Sequence, residues 1–451
     1  MGKPVLKPTV STPEPEIDAT FEHIFQYWPV LTRSGNSLAV PISGRFVKPG
    51  GFFKWFFYWD SYFTLLGLVA QGRWQLAREI VEGLVTEVEK FGFVPNYNGS
   101  ESVCSSRSQS PFLTSAIREI FPSNNDLAWL DRVASAAATE YEDYWVAEPH
   151  ITDLGLSRYI DLAENGGCET VPDTPHFRAI GESGWDNTPR FGDDATQVIP
   201  VDLNCQLYRY ELDLADFSDL LAERDTARIW RLRAEERLDL INRYLWDERS
   251  GFYRDYDLQT GESLRNTPRS LASFVPLWAS AANQDQASRV VEHLPAFEYD
   301  HGLVACEEGW ADETEHNYPS GWPYSHWYVC CGLGDYGFHD EASRIAMKWL
   351  RLIATELSQT GAIRERHNVV DPSARVPGRY PPQRGFGWTN GVFAALLVRV
   401  IFGIEAERDG AAIEAHTRFP PEWTGEDVQI SLPSYPWPEG VIQQQMNRSG
   451  T

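Results

Sequence analysis

Apolar residues recur at helical spacing through most of the middle of the chain. WQLAREIVEGLVTEVEKF (74–91) and EASRIAMKWLRLIATELSQ (341–359) put them three and four positions apart with polar residues between, the pattern of a helix with one face on a core. Ten further segments read the same way: 18–28, 61–72, 112–121, 124–146, 200–217, 223–246, 270–281, 285–294, 324–337 and 389–402. More apolar members alternate with more amphipathic ones, and short links alternate with long ones rich in Gly, Pro and aromatics. This alternation predicts an all-α (α/α)6 barrel: helical hairpins closed into a toroid, the inner helices more buried and the long loops gathered at one end. Strand signals are few, namely a hairpin over WDERSGFYRDYDL (246–258) and a short strand in VQISLPS (428–434). Residues 1–17 read as a flexible N-terminal arm and 441–451 as a tail. No linker-like stretch divides 18–440, which is expected to be one catalytic domain.

Composition narrows what such a barrel does. A net charge of −25 argues against nucleic acid and anionic membrane surfaces as partners. The longest apolar run, GVFAALLVRVIFGI (391–404), is too short to span a bilayer and is broken by Arg399. The six cysteines (104, 168, 205, 306, 330, 331) form no CxxC pair, and no charged-then-apolar leader opens the chain, so free thiols in a cytoplasmic protein are expected. Aromatics reach 13%, and many fall in loops instead of on periodic faces. Aromatic loops lining a cleft offer flat apolar faces to a sugar or another flat ligand.

Four long loops carry the chemistry. GGFFKWFFYWDSYF (50–63) ends in Trp59-Asp60 beside a helix start, where Asp60 is either a cap or a ligand. The polar loop 93–112 ends in Arg107-Ser108-Gln109, groups that either sit on the surface or bond sugar hydroxyls. GESGWDN (181–187), with almost no helix-forming character, sets Asp186 next to Trp185. Two readings are open there: a turn or capping aspartate, or an acid kept protonated by an apolar neighbour. Loop 363–392 holds Glu365 near its start and an aromatic, glycine-rich end. An acid and a base on loops at one end of a toroid are the parts that glycoside hydrolysis requires.

Together these segments resemble the trehalase family of α-glucosidases. PGGFFKWFFYWDSYF (49–63) is similar to the family's PGGRFxExYYWDSYF, and Val94-Pro95-Asn96 and Arg107-Ser108-Gln109-Ser110-Pro111 to its IPN and RSQPP. Residues 182–191 match ESGWDxSxRW, and 379–392 match EYxxQxGFGWTNGV. The resemblance implies an (α/α)6 barrel without metal or cofactor, hydrolysing a small α-glucoside with inversion. Asp186 would be the general acid and Glu365 the base. Trp59, Asp60, Asn96, Arg107, Gln109 and Gly184 match sugar-binding positions. Ser108, Glu169, Trp185, Arg190, Trp322, Gln383, Phe386 and Trp388 complete the expected binding set, with Trp185 walling the sugar and raising the pKa of Asp186.

The departures bear on specificity. Phe52 stands where the family has arginine, with Arg45 just upstream as a substitute; the family's RPE is reduced to Gly167-Cys168-Glu169. QWDxPNGW becomes Glu315 to Trp322, and Arg379 replaces a glutamate. Trehalose is the expected substrate. The alternatives are another α-glucoside or α-mannoside (glucosylglycerate, mannosylglycerate, kojibiose), with Arg379 either pairing an anionic leaving group or held in an internal ion pair. A silent sugar-binding homologue and a zinc enzyme using Cys306, His316 and His326 are further readings. The partner is a small sugar, and the assembly a monomer or small homo-oligomer.

Overall fold

The computed structural model describes residues 6–123, 125–163, 168, 174–310, 313–406, 413–415, 417–423, 428–433 and 442–446. Its helices, in chain order, are α1 (Pro15–Leu31), α2 (Tyr58–Ala70), α3 (Trp74–Phe91), α4 (Leu113–Ile120), α5 (Leu127–Glu140), α6 (Pro175–Ser183), α7 (Val201–Leu220), α8 (Arg224–Tyr244), α9 (Val275–Trp278), α10 (Gln284–Val291), α11 (Pro323–Asp335), α12 (His339–Thr360) and α13 (Gly387–Ala395). α2, α4, α7, α9, α11 and α13 pack neighbour against neighbour, and α13 closes the ring on α2. α1, α3, α5, α8, α10 and α12 form the outer layer, which makes the fold the (α/α)6 toroid expected.

Burial follows the sequence pattern. Every residue of α2 is buried, as an inner helix with neighbours on all sides must be. Outer α8 buries only Ala227, Trp230, Ala234, Arg237 and Ile241, steps of three and four along one face. The ring closes where α2 and α13 cross at two glycines. A methyl on Gly67 would stand 2.5 Å from the Gly391 Cα, and one on Gly391 2.0 Å from the Phe63 carbonyl oxygen, so only glycine permits this approach.

Several expectations need correction. A helix, α6, occupies 175–183, so GESGWDN is a helix end followed by a turn, not a loop throughout. Thr174 caps its start, Pro175 opens it, and Gly184 closes it at φ +75°. The N-terminal arm is built in from Thr9: Thr9–Ser11 pairs antiparallel with Val428–Leu432, and α1 begins at Pro15. Val428–Leu432 also pairs with Ile442–Met446, so part of the expected tail is a strand. The hairpin over 246–258 is present as Trp246–Asp247 paired with Phe252–Tyr253. Cys104 and Cys168, 64 residues apart, form a disulfide with Cα atoms 5.3 Å apart, against the expectation of free thiols. That pairing removes the thiol argument for a reducing compartment. No described helix is long and apolar enough to cross a membrane.

Candidate active site

The residues singled out from the sequence gather where the inner helices begin. Trp59 and Asp60 occupy the first turn of α2, Trp388 the first turn of α13, and Trp322 caps α11. Gln109 precedes α4, and Gly184 and Asp186 lie between α6 and α7. With Glu365, Phe386, Pro49, Phe53, Phe57, Glu315, His316 and Tyr380 they line one cleft. Its aromatic walls and few convergent carboxyl and amide groups suit a small polar ligand.

The acid loop is held by a chain of anchors. Gly184 takes its positive φ directly behind Trp59, where a methyl would come to 3.0 Å from the indole Cε3. Asn187 follows at φ +58°, and its carbonyl accepts the Glu315 N–H at 3.0 Å. Thr188 Oγ1 donates to the His316 carbonyl at 3.2 Å. The Arg190 guanidinium then grips Asp202 at 2.7 and 2.9 Å and Asp255 at 2.8 Å, under the Trp185 ring. All three charged groups are buried, and Asp202 opens α7, so the loop is stapled to the barrel wall. Asp186 is left half-buried in the cleft, with no hydrogen-bond donor to its carboxylate among the described residues.

Glu365 is held differently. It is nearly fully buried, and its carboxylate accepts Arg366 Nη1 at 2.8 Å and the Gln383 backbone N–H at 3.2 Å on Oε2, and the Tyr380 hydroxyl at 2.9 Å on Oε1. Burial pushes both carboxyls up, Asp186 to about 6 and Glu365 to about 7. For Asp186 the positive charges of Arg379 and Arg107 oppose burial; for Glu365 Arg366 and the donors from Gln383 and Tyr380 do so. That order alone would leave the proton on Glu365 at a pH between the two values. The donors argue the other way, because three groups aimed at one carboxylate match an anion, whereas Asp186 has none. We assign the proton to Asp186. A third carboxyl, Asp60, is pushed well above the usual range by burial and then by the charge of Glu365. Among the described residues its only donor is its own backbone N–H, which leaves it open to a ligand hydroxyl.

Several expected contacts lie outside the cleft. Arg45 is half-exposed and paired with Glu79 on α3, so it does not replace the arginine missing at Phe52. Phe52 is 54% exposed at the mouth, its ring edge-on to Tyr380. Asn96 bonds the Ser108 and Gly181 carbonyls, and Ser108 bonds the Val94 carbonyl and Glu182, so both brace loops. Arg107 is fully buried against Asp161 and reaches the site through its charge on Asp186. Gln383 holds the Phe52 N–H and the Pro381 carbonyl. Trp185 sits behind the cleft, over Arg190, so it supports the acid loop from beneath and does not wall the sugar. Arg190 is likewise an anchor. Arg379 lies 3.5 Å from Glu315 through Nε, the internal pairing weighed as its alternative, and stays about one-third exposed. Glu169 lies outside the described residues.

Six cleft-lining residues were missed as contacts: Pro49, Phe53, Phe57, Glu315, His316 and Tyr380. Glu315 and Tyr380 sit inside the very motifs that carry the resemblance, and that was the available signal. The zinc reading finds no support. Both ring nitrogens of His326 are engaged, by the Leu303 N–H at 2.9 Å and the Trp322 carbonyl at 2.7 Å, and Cys306 donates to the His316 carbonyl. Among the described residues no cluster of His, Cys, Asp or Glu could hold a metal ion.

Comparison with known proteins bears on the fold and the family. The fold is similar to the neutral trehalase of Saccharomyces cerevisiae, at 28% identity and TM-score 0.70, covering 78% of this chain and 73% of that one. It is also similar to a GH63 mannosylglycerate hydrolase from Thermus thermophilus (19% identity, TM-score 0.62, 83% and 99% covered). A GH78 rhamnosidase from Bacillus shares the toroid at 15% identity and TM-score 0.67, over 98% of this chain and 40% of that one. At that identity the last two speak for the fold alone. The Trehalase family pattern matches residues 8–176 and 157–400, most of the chain including both cleft carboxylates, and the protein belongs to that family.

Proposed function

We propose that this chain is an inverting α-glucosidase whose preferred substrate is α,α-trehalose. The observation that carries the reading is the convergence of Asp186 and Glu365 in one aromatic-walled cleft, the first without donors and the second held by three. Asp186 gives its proton to the glycosidic oxygen as the bond to the anomeric carbon breaks. Glu365 takes a proton from the water that attacks that carbon from the opposite face. The net change is one water added across the bond and one proton moved from Asp186 to Glu365, returned through solvent. Asp60, the Gln109 amide and the Trp59 and Trp388 rings are suited to the glucosyl unit bound between them.

A second reading, a small α-glucoside with another leaving group, is favoured by one observation. Two of the family departures, Phe52 and Arg379, lie exposed or partly exposed at the mouth of the cleft, while the third, Glu315, is buried in it beneath Arg379. Glu315 already faces Arg379, which weakens the case for an anionic leaving group. Glucose release from trehalose, kojibiose, glucosylglycerate and mannosylglycerate, compared by kcat/KM, tests the proposal. Trehalose should lead. A lead of tenfold or more for another glycoside would transfer the proposal to that substrate, and silence on all four would leave a binding-only role.

A further inference from the structure

We propose that Tyr380 is a positioning residue for the reaction, fixing the Glu365 carboxylate so that one lone pair alone faces the attacking water. The inference rests on the reading of Glu365 as the base. A carboxylate offers about four acceptor sites. Oε2 of Glu365 is filled by Arg366 Nη1 and the Gln383 N–H, and Oε1 holds the Tyr380 hydroxyl. The one remaining site is on Oε1, and Tyr380 and Glu365 both line the cleft. Without the Tyr380 hydroxyl, Oε1 would have two open sites and the water no single place to sit.

The tyrosine is itself held from several sides. The Arg366 guanidinium lies 4.6 Å from the centre of its ring and donates through Nη2 to its carbonyl at 2.5 Å. Glu315 Oε1 accepts the N–H of Arg379, the residue before it, at 2.8 Å. Gly378 stands at φ +133°, where a methyl would strike Glu315 Cγ at 2.4 Å and Arg366 Nη2 at 2.5 Å. Phe52 and Phe53 meet the ring edge-on at 5.3 and 5.8 Å. Burial and the charge of Glu365 hold the phenol proton far from ionising, so the hydroxyl stays a donor. Loop 377–380 thus bridges two of the family departures, Glu315 and Arg379, to the base.

Tyr380→Phe removes the hydroxyl and keeps the ring in its clasp. The expected result is a fall in kcat of about tenfold, the scale of one hydrogen bond to a charged group, with little change in KM or melting temperature. The acid limb of kcat/KM should also move to higher pH, because losing a donor to the anion makes Glu365 easier to protonate. A purely structural tyrosine would lower the melting temperature or raise KM and leave that limb in place. Glu365→Gln is measured in parallel. If it is inactive while Tyr380→Phe keeps the wild-type kcat and profile, the role of Tyr380 is overturned and the base stands. If Glu365→Gln keeps wild-type turnover, the base assignment falls, and the role of Tyr380 with it.

Discussion

The floor of the cleft and its rim are built in opposite ways. The floor is made from the first turns of buried helices and the turn after α6, with Trp59, Asp60, Gln109, Gly184, Asp186 and Trp388 in fixed backbone positions. The rim is made from loops 49–53 and 377–384, the second tied by side chains to the buried Glu315. The floor positions are the ones that carry the resemblance to the family's motifs, and the departures Phe52 and Arg379 lie on the rim. A site that needs an acid, a base and a sugar bed at fixed distances gains from rigid elements. A leaving group can vary while the chemistry does not, and variation collects in loops.

The sharpest test removes the two carboxyls between which the chemistry is placed, Asp186 on the floor and Glu365 where floor meets rim. Asp186→Asn and Glu365→Gln should each lower kcat by about 10²–10⁴-fold with the melting temperature near that of the wild type. Turnover within a few-fold of wild type for either would unseat that residue. Next in size is Arg190→Leu, which strands Asp202 and Asp255 as buried, unpaired acids beneath the acid loop. Breaking such a buried pair costs about 3–5 kcal/mol, read as a large drop in denaturation midpoint. A mild loss would mean that the acid loop is not stapled there.

The pH profile tests the pairing of acid and base. As pH falls, Glu365 gains the proton that prevents it from accepting one from water; as pH rises, Asp186 loses the proton it must donate. The two values, about 6 and about 7, are those of the pair; with the proton assigned to Asp186, Glu365 sets the acid limb and Asp186 the alkaline limb of a narrow kcat/KM bell centred between them. A flat profile from 5 to 9 would show that these groups do not titrate in the free enzyme. The smallest effect belongs to the rim. Arg379→Ala is expected to change the preference among leaving groups about three-fold, the scale of a partly exposed charge, and to move the alkaline limb of the bell slightly to higher pH, because its charge opposes the rise of the Asp186 pKa. A loss as large as that of Asp186→Asn would erase the distinction between floor and rim.

Much of the floor was legible in the sequence because its residues are adjacent: WDSYF, RSQ, ESGWD and FGWTNGV each place a functional group beside the glycine or helix start that aims it. The helix count was legible from spacing alone, except α6. Nine residues carry little periodicity, although Thr174-Pro175 and Gly184 marked its two ends. What failed was telling ligands from anchors. Arg190 and Asn96 are the residue types that bind sugars, but the partners that occupy them sit elsewhere: Asp255 is 65 positions from Arg190, and Gly181 is 85 from Asn96. The same reason hid the Cys104–Cys168 disulfide and the clasp of Glu315 on the Tyr380 loop. Neither has a local pattern, and each exists because the closed ring brings distant loops together.

The most direct test of the central claim is the anomer first released from trehalose, followed by proton NMR in the opening seconds of reaction, before mutarotation. Attack by water on the face opposite Asp186 predicts one β-glucose for every α-glucose. Release of α-glucose alone would mean retention of configuration, and would contradict the assignment of Glu365 as a base acting on water.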